Sequence, residues 1–255
     1  MIVLRSQVQC EVNNMTALIF DTETHKLHGD IIEAAAMEVQ FQPFTDYPII
    51  PTMFDFTKRY KPSEPISIAA MAIHHIVDED LVKCPSYTKF KLPKDNIEYL
   101  IGHNIDYDIE AIERAGTDAS NIKRICTLSM ARYLWPHFES HKLTALAYQL
   151  SCDRKATRRG VRGAHSALND CKTTHSLLLN IVRARQIKSM EELYQFSQIA
   201  RIPTHIFYGP HRGKAIADLS SYDLEYIARK SDDQYLLTAI QTELLSREEE
   251  ELPFI

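Results

Sequence analysis

Asp21 and Glu23 directly follow an apolar run at 17–20. Such a run suits a buried strand, and on extended chain positions i and i+2 project to one face. Two adjacent acids there repel each other unless a cation lies between them, and strand carboxyl ends are where ligand sites form in α/β sheets. Two further acids come from helical segments. On a wheel of about 100° per residue, Asp108 shares a stripe with Ile112 and Ala115, while Asp106, Glu110, Glu113 and Arg114 lie opposite. In the segment 166–185, Leu168, Cys171, His175, Leu178 and Val182 form an apolar face, and Asp170 flanks it in line with Leu177 and Ile181. One inward acid is explained by the positive end of a helix dipole. Four, from three elements, point to divalent metal, because buried unpaired carboxylates are costly. All-oxygen ligands suit Mg²⁺ or Mn²⁺ rather than zinc. His165 precedes Asp170 by five positions, about 140° apart on one helix. A shared site therefore puts His165 in the loop before the helix, near Gly160 and Gly163, where it can accept a proton from water.

These residues need a frame. Strands are expected at 17–20, 31–41, 52–60, 97–102 and 123–127, and helices at 67–75, 78–83, 107–115, 128–134, 144–150 and 166–185. Strands interleaved with helices predict an α/β domain ending near residue 185. Between the last two helices, Arg154, Lys155, Arg158, Arg159 and Arg162 form a basic loop suited to phosphate. Residues 1–185 hold 22 Lys and Arg against 22 Asp and Glu, and residues 186–255 hold 7 against 12, so the whole net charge of −5 lies in the last quarter. No apolar run approaches the roughly 18 residues of a membrane span, and the first 14 residues are too weakly apolar for a secretory signal. The five cysteines are odd in number and contain no C-x-x-C pair, which argues against a disulfide scaffold or a structural zinc site. A reduced cytoplasm is the expected compartment.

Asp21-Thr22-Glu23-Thr24, His103-Asn104-x-x-Tyr107-Asp108 and His165-x-x-x-x-Asp170 resemble, in order and spacing, the three motifs of the DEDDh 3′→5′ exonucleases. The third motif discriminates: the sister group carries tyrosine four residues before its last Asp, and here that place is Ser166. Pro65-Ile66-Ser67, Ala72-Ile73-His74, Cys126-Thr127-Leu128 and Ala131-Arg132-x-Leu134-Trp135-Pro136 agree, and the last of these, with the Met71–His74 string, resembles the exodeoxyribonuclease X branch. Phe207-Tyr208-Gly209-Pro210-His211-Arg212-Gly213-Lys214 resembles a module that follows the nuclease in that branch. One departure stands in the first motif, where Lys26 replaces a common glycine.

The resemblance implies a ribonuclease H-like mixed sheet flanked by helices, with a small C-terminal module. The expected divisions are an extension at 1–15, the exonuclease domain at 16–185, the module at 186–245 and an acidic tail at 246–255. It implies hydrolysis of 3′-terminal phosphodiesters, DNA in preference to RNA, releasing nucleoside 5′-monophosphates. Asp21, Glu23, Asp108 and Asp170 would hold two Mg²⁺, with Mn²⁺ able to substitute, and His165 would be the base. Thr24, Leu27, His103, Asn104, Arg158, Arg159, Arg212 and Lys214 are expected to touch substrate. A mini-core is expected around Tyr222, Tyr226, Tyr235 and Leu236. The alternatives are an exoribonuclease trimming RNA ends and a catalytically silent nucleic-acid-binding protein. A homodimer is a further expectation, since relatives include dimers. The ending Leu252-Pro253-Phe254-Ile255 offers the aliphatic and aromatic side chains of a sliding-clamp docking peptide, without the usual glutamine. Translation is expected to begin at Met15, or residues 1–14 to be dispensable.

Overall fold

The computed structural model describes residues 16–43 and 45–251. The extension at 1–15 and the clamp-like ending at 252–255 lie outside the described residues. Five strands form one sheet in the order β3-β2-β1-β4-β5: β1 Thr16–Thr24, β2 Ile31–Phe41, β3 Ile49–Arg59, β4 Ile97–Gly102 and β5 Lys123–Cys126. The first three strands pair antiparallel, whereas β4 and β5 run parallel to β1. This is the mixed, ribonuclease H-like sheet that the motifs implied.

Alternation along β1 builds both layers. Ala17 and Ile19 join the core packed under α6 (Ala167–Arg185), while Leu18 and Phe20 join the core under α2 (Ile105–Arg114). Leu18, Ile19 and Phe20 are almost wholly buried, and each such side chain contributes about 1.5–3 kcal/mol. The sheet therefore fixes the strand end that carries Asp21 and Glu23. In α6 the buried side also takes in Ala167, Thr174, Leu177 and Ile181, leaving Leu168 and His175 at its margin.

The segment expected as a basic loop is instead α5 (Arg154–Gly160), followed by a short 3₁₀ turn at Val161–Gly163. Asp153 caps it, accepting from the backbone N–H of Lys155 and Ala156 at 2.9 and 3.0 Å. A cap of this kind stabilises a helix by about 1 kcal/mol. The helices expected at 67–75 and 144–150 are α1 (Ile68–His74) and α4 (Leu143–Gln149), whereas the segment expected as a helix at 78–83 is one 3₁₀ turn at Asp78–Leu81.

Beyond Arg185 the main core continues. The helix α7 (Met190–Ala200) adds Met190, Leu193, Phe196 and Ala200 to the cluster under α6. A separate small cluster begins at Ile206 and includes Ile216, Leu219, Leu224, Leu236 and Ile240, held by α8 (Ser221–Lys230) and α9 (Gln234–Glu251). Of the expected mini-core, Leu236 joins this cluster and the tyrosines do not. Tyr222 and Tyr226 are exposed because, one turn apart, they lie on the face of α8 opposite Leu224. Tyr235 instead accepts a hydrogen bond from Arg201 at 2.9 Å. Cys84, Cys126, Cys152 and Cys171 are all free. Among the described residues, no helix is long and apolar enough to cross a membrane.

Candidate active site

Three elements bring the acids to one rim of the sheet. Asp21 and Glu23 stand at the carboxyl end of β1. Asp108, on the first turn of α2, is buried, and its Oδ1 accepts from the Thr22 N–H at 2.8 Å and the Thr22 hydroxyl at 2.7 Å. Asp170 lies in the first turn of α6. His165 is in the preceding loop, as its spacing required, with φ of 65°. Its backbone N–H donates to Asp170 Oδ2 at 3.1 Å, so the left-handed turn and the acid fix each other. Glu23, His165 and Asp170 offer ligand atoms that all lie within 4.8 Å of one another. Asp21 and Asp108 stand outside that tight group, and Asp108 spends one oxygen on Thr22.

The electrostatics show what is unbalanced. Burial first, then repulsion from Asp170, Glu33 and Asp108, pushes Glu23 up to about 8. Burial, opposed by the Thr22 hydrogen bonds, pushes Asp108 up to about 7. Asp21 is raised well above the carboxylate range by burial and by Asp108, Glu23, Asp170 and Glu33. Asp170 is raised by burial, and its Oδ1 is buried without a hydrogen-bond partner. Carboxylates held together, with one oxygen orphaned, suit a hard divalent cation, and the chemistry of the donor set matches oxygen-ligated metals.

Glu33 shows the contrast and was not singled out by its sequence. It faces Glu23 across the β1–β2 pair, but Arg59 Nε donates to it at 2.9 Å, and the first N–H of α6, from Ala167, donates at 3.0 Å. Glu33 thus anchors α6, and with it Asp170 and the His165 loop. Thr22 and Tyr107 were likewise missed as positioning residues: the Tyr107 hydroxyl hydrogen-bonds the Thr24 hydroxyl.

The expected substrate residues divide. Thr24 is buried, and its hydroxyl also donates to the Lys26 carbonyl at 2.9 Å. Leu27 is 77% exposed beside it, free to meet a base. Lys26 replaces the common glycine without strain, because the positive φ of this turn falls on His28 and its side chain pairs with Glu64. The close approach in this turn is at Gly29, where a Cβ would lie 2.7 Å from the Lys26 carbonyl oxygen. Asn104 is exposed at the start of α2 with φ of 80°. His103 is turned inward: Nε2 donates to the His141 carbonyl at 2.8 Å, and Nδ1 meets the Thr127 hydroxyl at 3.0 Å. Burial pushes it down to about 4, which keeps the ring neutral in these two hydrogen bonds. Arg158 and Arg159 are exposed on α5. Arg212 and Lys214 are exposed on the turn at 207–214, and Arg212 also donates to the Glu139 carbonyl.

Residues 18–178 match the family model described as "Exonuclease". The chain belongs to the exonuclease family. Within it, the motifs and relatives make it a DEDDh 3′→5′ exonuclease, a hydrolase of nucleic acid in a family that depends on divalent metal. This exonuclease is 29% identical over 210 residues to exodeoxyribonuclease 10 of Escherichia coli K12, covering 82% of this chain and 87% of that one. It is 27% identical over 179 residues to the PolC-type DNA polymerase III of Bacillus cereus, covering 66% of this chain and 11% of the polymerase. Among solved structures it resembles exonuclease X in complex with 5′ overhanging duplex DNA, with TM-score 0.50, 28% identity and coverage of 71% of this chain and 99% of that one. The zinc-bound E. coli ExoI–ssDNA complex, with TM-score 0.53 at 18% identity over 73% of this chain and 43% of that one, shares the fold.

Proposed function

We propose that this exonuclease is a Mg²⁺-dependent 3′→5′ exodeoxyribonuclease releasing nucleoside 5′-monophosphates. The observation that carries the reading is the gathering of Glu23, His165 and Asp170 within 4.8 Å beside Asp21 and Asp108. The preference for DNA rests on the relatives, named as an exodeoxyribonuclease and as an exonuclease bound to duplex DNA.

Asp21, Glu23, Asp108 and Asp170 would hold two Mg²⁺, with Mn²⁺ as a substitute. Divalent metal supplies charge neutralisation at the phosphate and eases deprotonation of water. The chain's residues do the rest. His165, exposed on its loop, takes the proton of the attacking water. Asp170 fixes the loop through the His165 N–H, and Thr22 fixes Asp108 through two hydrogen bonds. Thr24 and Leu27 border the place of the terminal nucleotide, and Arg158 and Arg159 offer charge to the approaching strand.

The test is product analysis with 3′-labelled and 5′-labelled DNA and RNA oligonucleotides, with Mg²⁺ and with chelator. The expected result is labelled mononucleotide from the 3′ label at once, a shrinking ladder from the 5′ label, faster loss of DNA, and no cleavage with chelator. Faster trimming of RNA would favour the exoribonuclease alternative. Cleavage that persists in chelator would overturn the metal assignment.

A further inference from the structure

Arg132, on α3 (Thr127–Leu134), stands in the wall between two cavities of about 240 and 410 Å³. Its Nε is buried without a hydrogen-bond partner, and no ion pair engages it among the described residues. Arg132 is half-buried, with one nitrogen orphaned and its guanidinium over the Phe207 ring, and such a cation is suited to an anionic partner. Asp233 borders the smaller cavity and reaches Arg132 only through space.

The larger cavity has the opposite character to the acid site. Its cations are Arg132, Lys142 and Arg212, and among the described residues no Asp or Glu lines it. Its aromatic wall is Phe207, whose ring lies 4.9 Å from the Arg132 guanidinium, together with Phe138. Its volume falls within the range of about 300–1,000 Å³ usual for ligand sites. Phe207 and Arg212 come from the C-terminal segment, and Arg132, Phe138 and Lys142 from the nuclease layer, so the site is complete only when both are present. Its position follows from strand register. Ile19 pairs with Ile101 in the parallel β1–β4 ladder, and two residues beyond each stand Asp21 and His103. His103 lines this cavity, so it opens at the same end of the sheet as the acids.

We propose that this cavity is a second contact site for the nucleic-acid strand, in which Arg132, Lys142 and Arg212 meet backbone phosphates and Phe207 meets a base. The inference rests on the proposed function, since it needs a strand already engaged by the nuclease. Phosphate contacts hold a strand independently of sequence, and aromatic faces accept any base. Burial, opposed by the Trp135 carbonyl and aided by Arg132 and Arg212, holds His141 below the usual imidazole range.

The test is fluorescence anisotropy of a 3′-labelled ten-nucleotide DNA strand in EDTA, with the full chain, across a salt series. Arg132→Gln and Lys142→Gln should each raise the Kd and flatten the logarithmic salt slope by about 0.7, the value for one lost single-strand phosphate contact. Arg132→Lys, which keeps the charge, should restore most of the slope. Thermal melting checks that the variants fold, and Lys142 is exposed, so its variant serves if Arg132→Gln unfolds. Folded variants with unchanged Kd and slope, beside an unmodified protein that binds and degrades DNA, would overturn this inference alone. An unmodified protein that neither binds nor degrades DNA would remove the proposed function, and this site with it.

Discussion

Two regions at one end of the sheet hold uncompensated charge of opposite sign. At the rim, Asp21, Glu23, Asp108 and Asp170 crowd together and burial drives their protons on. Nearby, Arg132, Lys142 and Arg212 line a cavity without a carboxylate among the described residues. Between these extremes stands Glu33, more deeply buried than Asp21, Glu23 or Asp170 but neutralised by Arg59. Folding alone favours the Glu33 arrangement, because a paired charge is less costly to bury than an unpaired one. The two unbalanced regions therefore mark where a cation and an anion complete the molecule, and Glu33 marks where the fold needed only itself.

The sharpest way to break this comparison is to neutralise an acid. Asp21→Asn should abolish nucleotide release and weaken Mg²⁺ binding by calorimetry, yet raise the melting temperature of the chelated protein at pH 8. Each 1 kcal/mol gained is worth about 2–4 °C in a domain of this size. An unchanged or lower melting temperature would show that repulsion at the rim is not a stability cost. Next in size, His165→Ala should slow turnover by about 10²–10⁴-fold, the usual range for a general base, with Mg²⁺ binding retained. Loss of Mg²⁺ binding instead would make His165 a ligand, as its closeness to Glu23 and Asp170 allows.

Arg59→Ala tests the compensated side and should act in the opposite sense to Asp21→Asn. It strips a buried acceptor of its donor, which costs about 1–3 kcal/mol, readable in urea unfolding. The pH profile then sharpens the contrast. Glu23 and Asp108 have folded-state values of about 8 and about 7, above the unfolded carboxyl range. The metal-free fold therefore binds more protons than the unfolded chain, so this stability is full below about pH 4 and is lost as pH rises toward 8. Melting in EDTA should fall across that window, and Mg²⁺ should restore it. A flat profile in EDTA would contradict the burial of these acids. The smallest effect is expected at α5. Arg158→Ala with Arg159→Ala should flatten the salt slope of DNA binding by up to about 1.4, at about 0.7 each, and raise KM more than it lowers kcat.

The rim was legible because its signals are local. An apolar strand that ends in D-x-E, an acid on the apolar stripe of α2, and a histidine five places before Asp170 each contradict the pattern around them. Strands at 31–41 and 97–102 were read to their true ends because alternation or continuous apolar character marks them. What the sequence hid depends on pairing across distance. Glu33 sits in the buried stretch of β2 at 31–37, and only the β2–β3 register brings Arg59 beside it. Arg132 looks like one more surface arginine until the turn at 207–214 folds over it. The α5 helix was missed because five cations in a row of nine suggest a solvated loop, while the side chain that starts the helix, Asp153, stands one residue before them.

The helix α7 carries a practical consequence for anyone cutting this chain into working pieces. It lies after the last motif and after the residues matched by the family model, yet Leu193 and Phe196 are buried in the main core and the Ser197 hydroxyl accepts from the Cys126 N–H at 2.8 Å. A fragment stopped at residue 185 would leave a greasy trench along α3 and β5 and an unsatisfied amide at the end of β5, the makings of an aggregating preparation. Carrying the cut past α7, to residue 201, closes that trench and keeps the Arg201–Asp106 pair. Such a fragment would part the nuclease from Phe207 and Arg212, and so separate the hydrolytic machine from its grip.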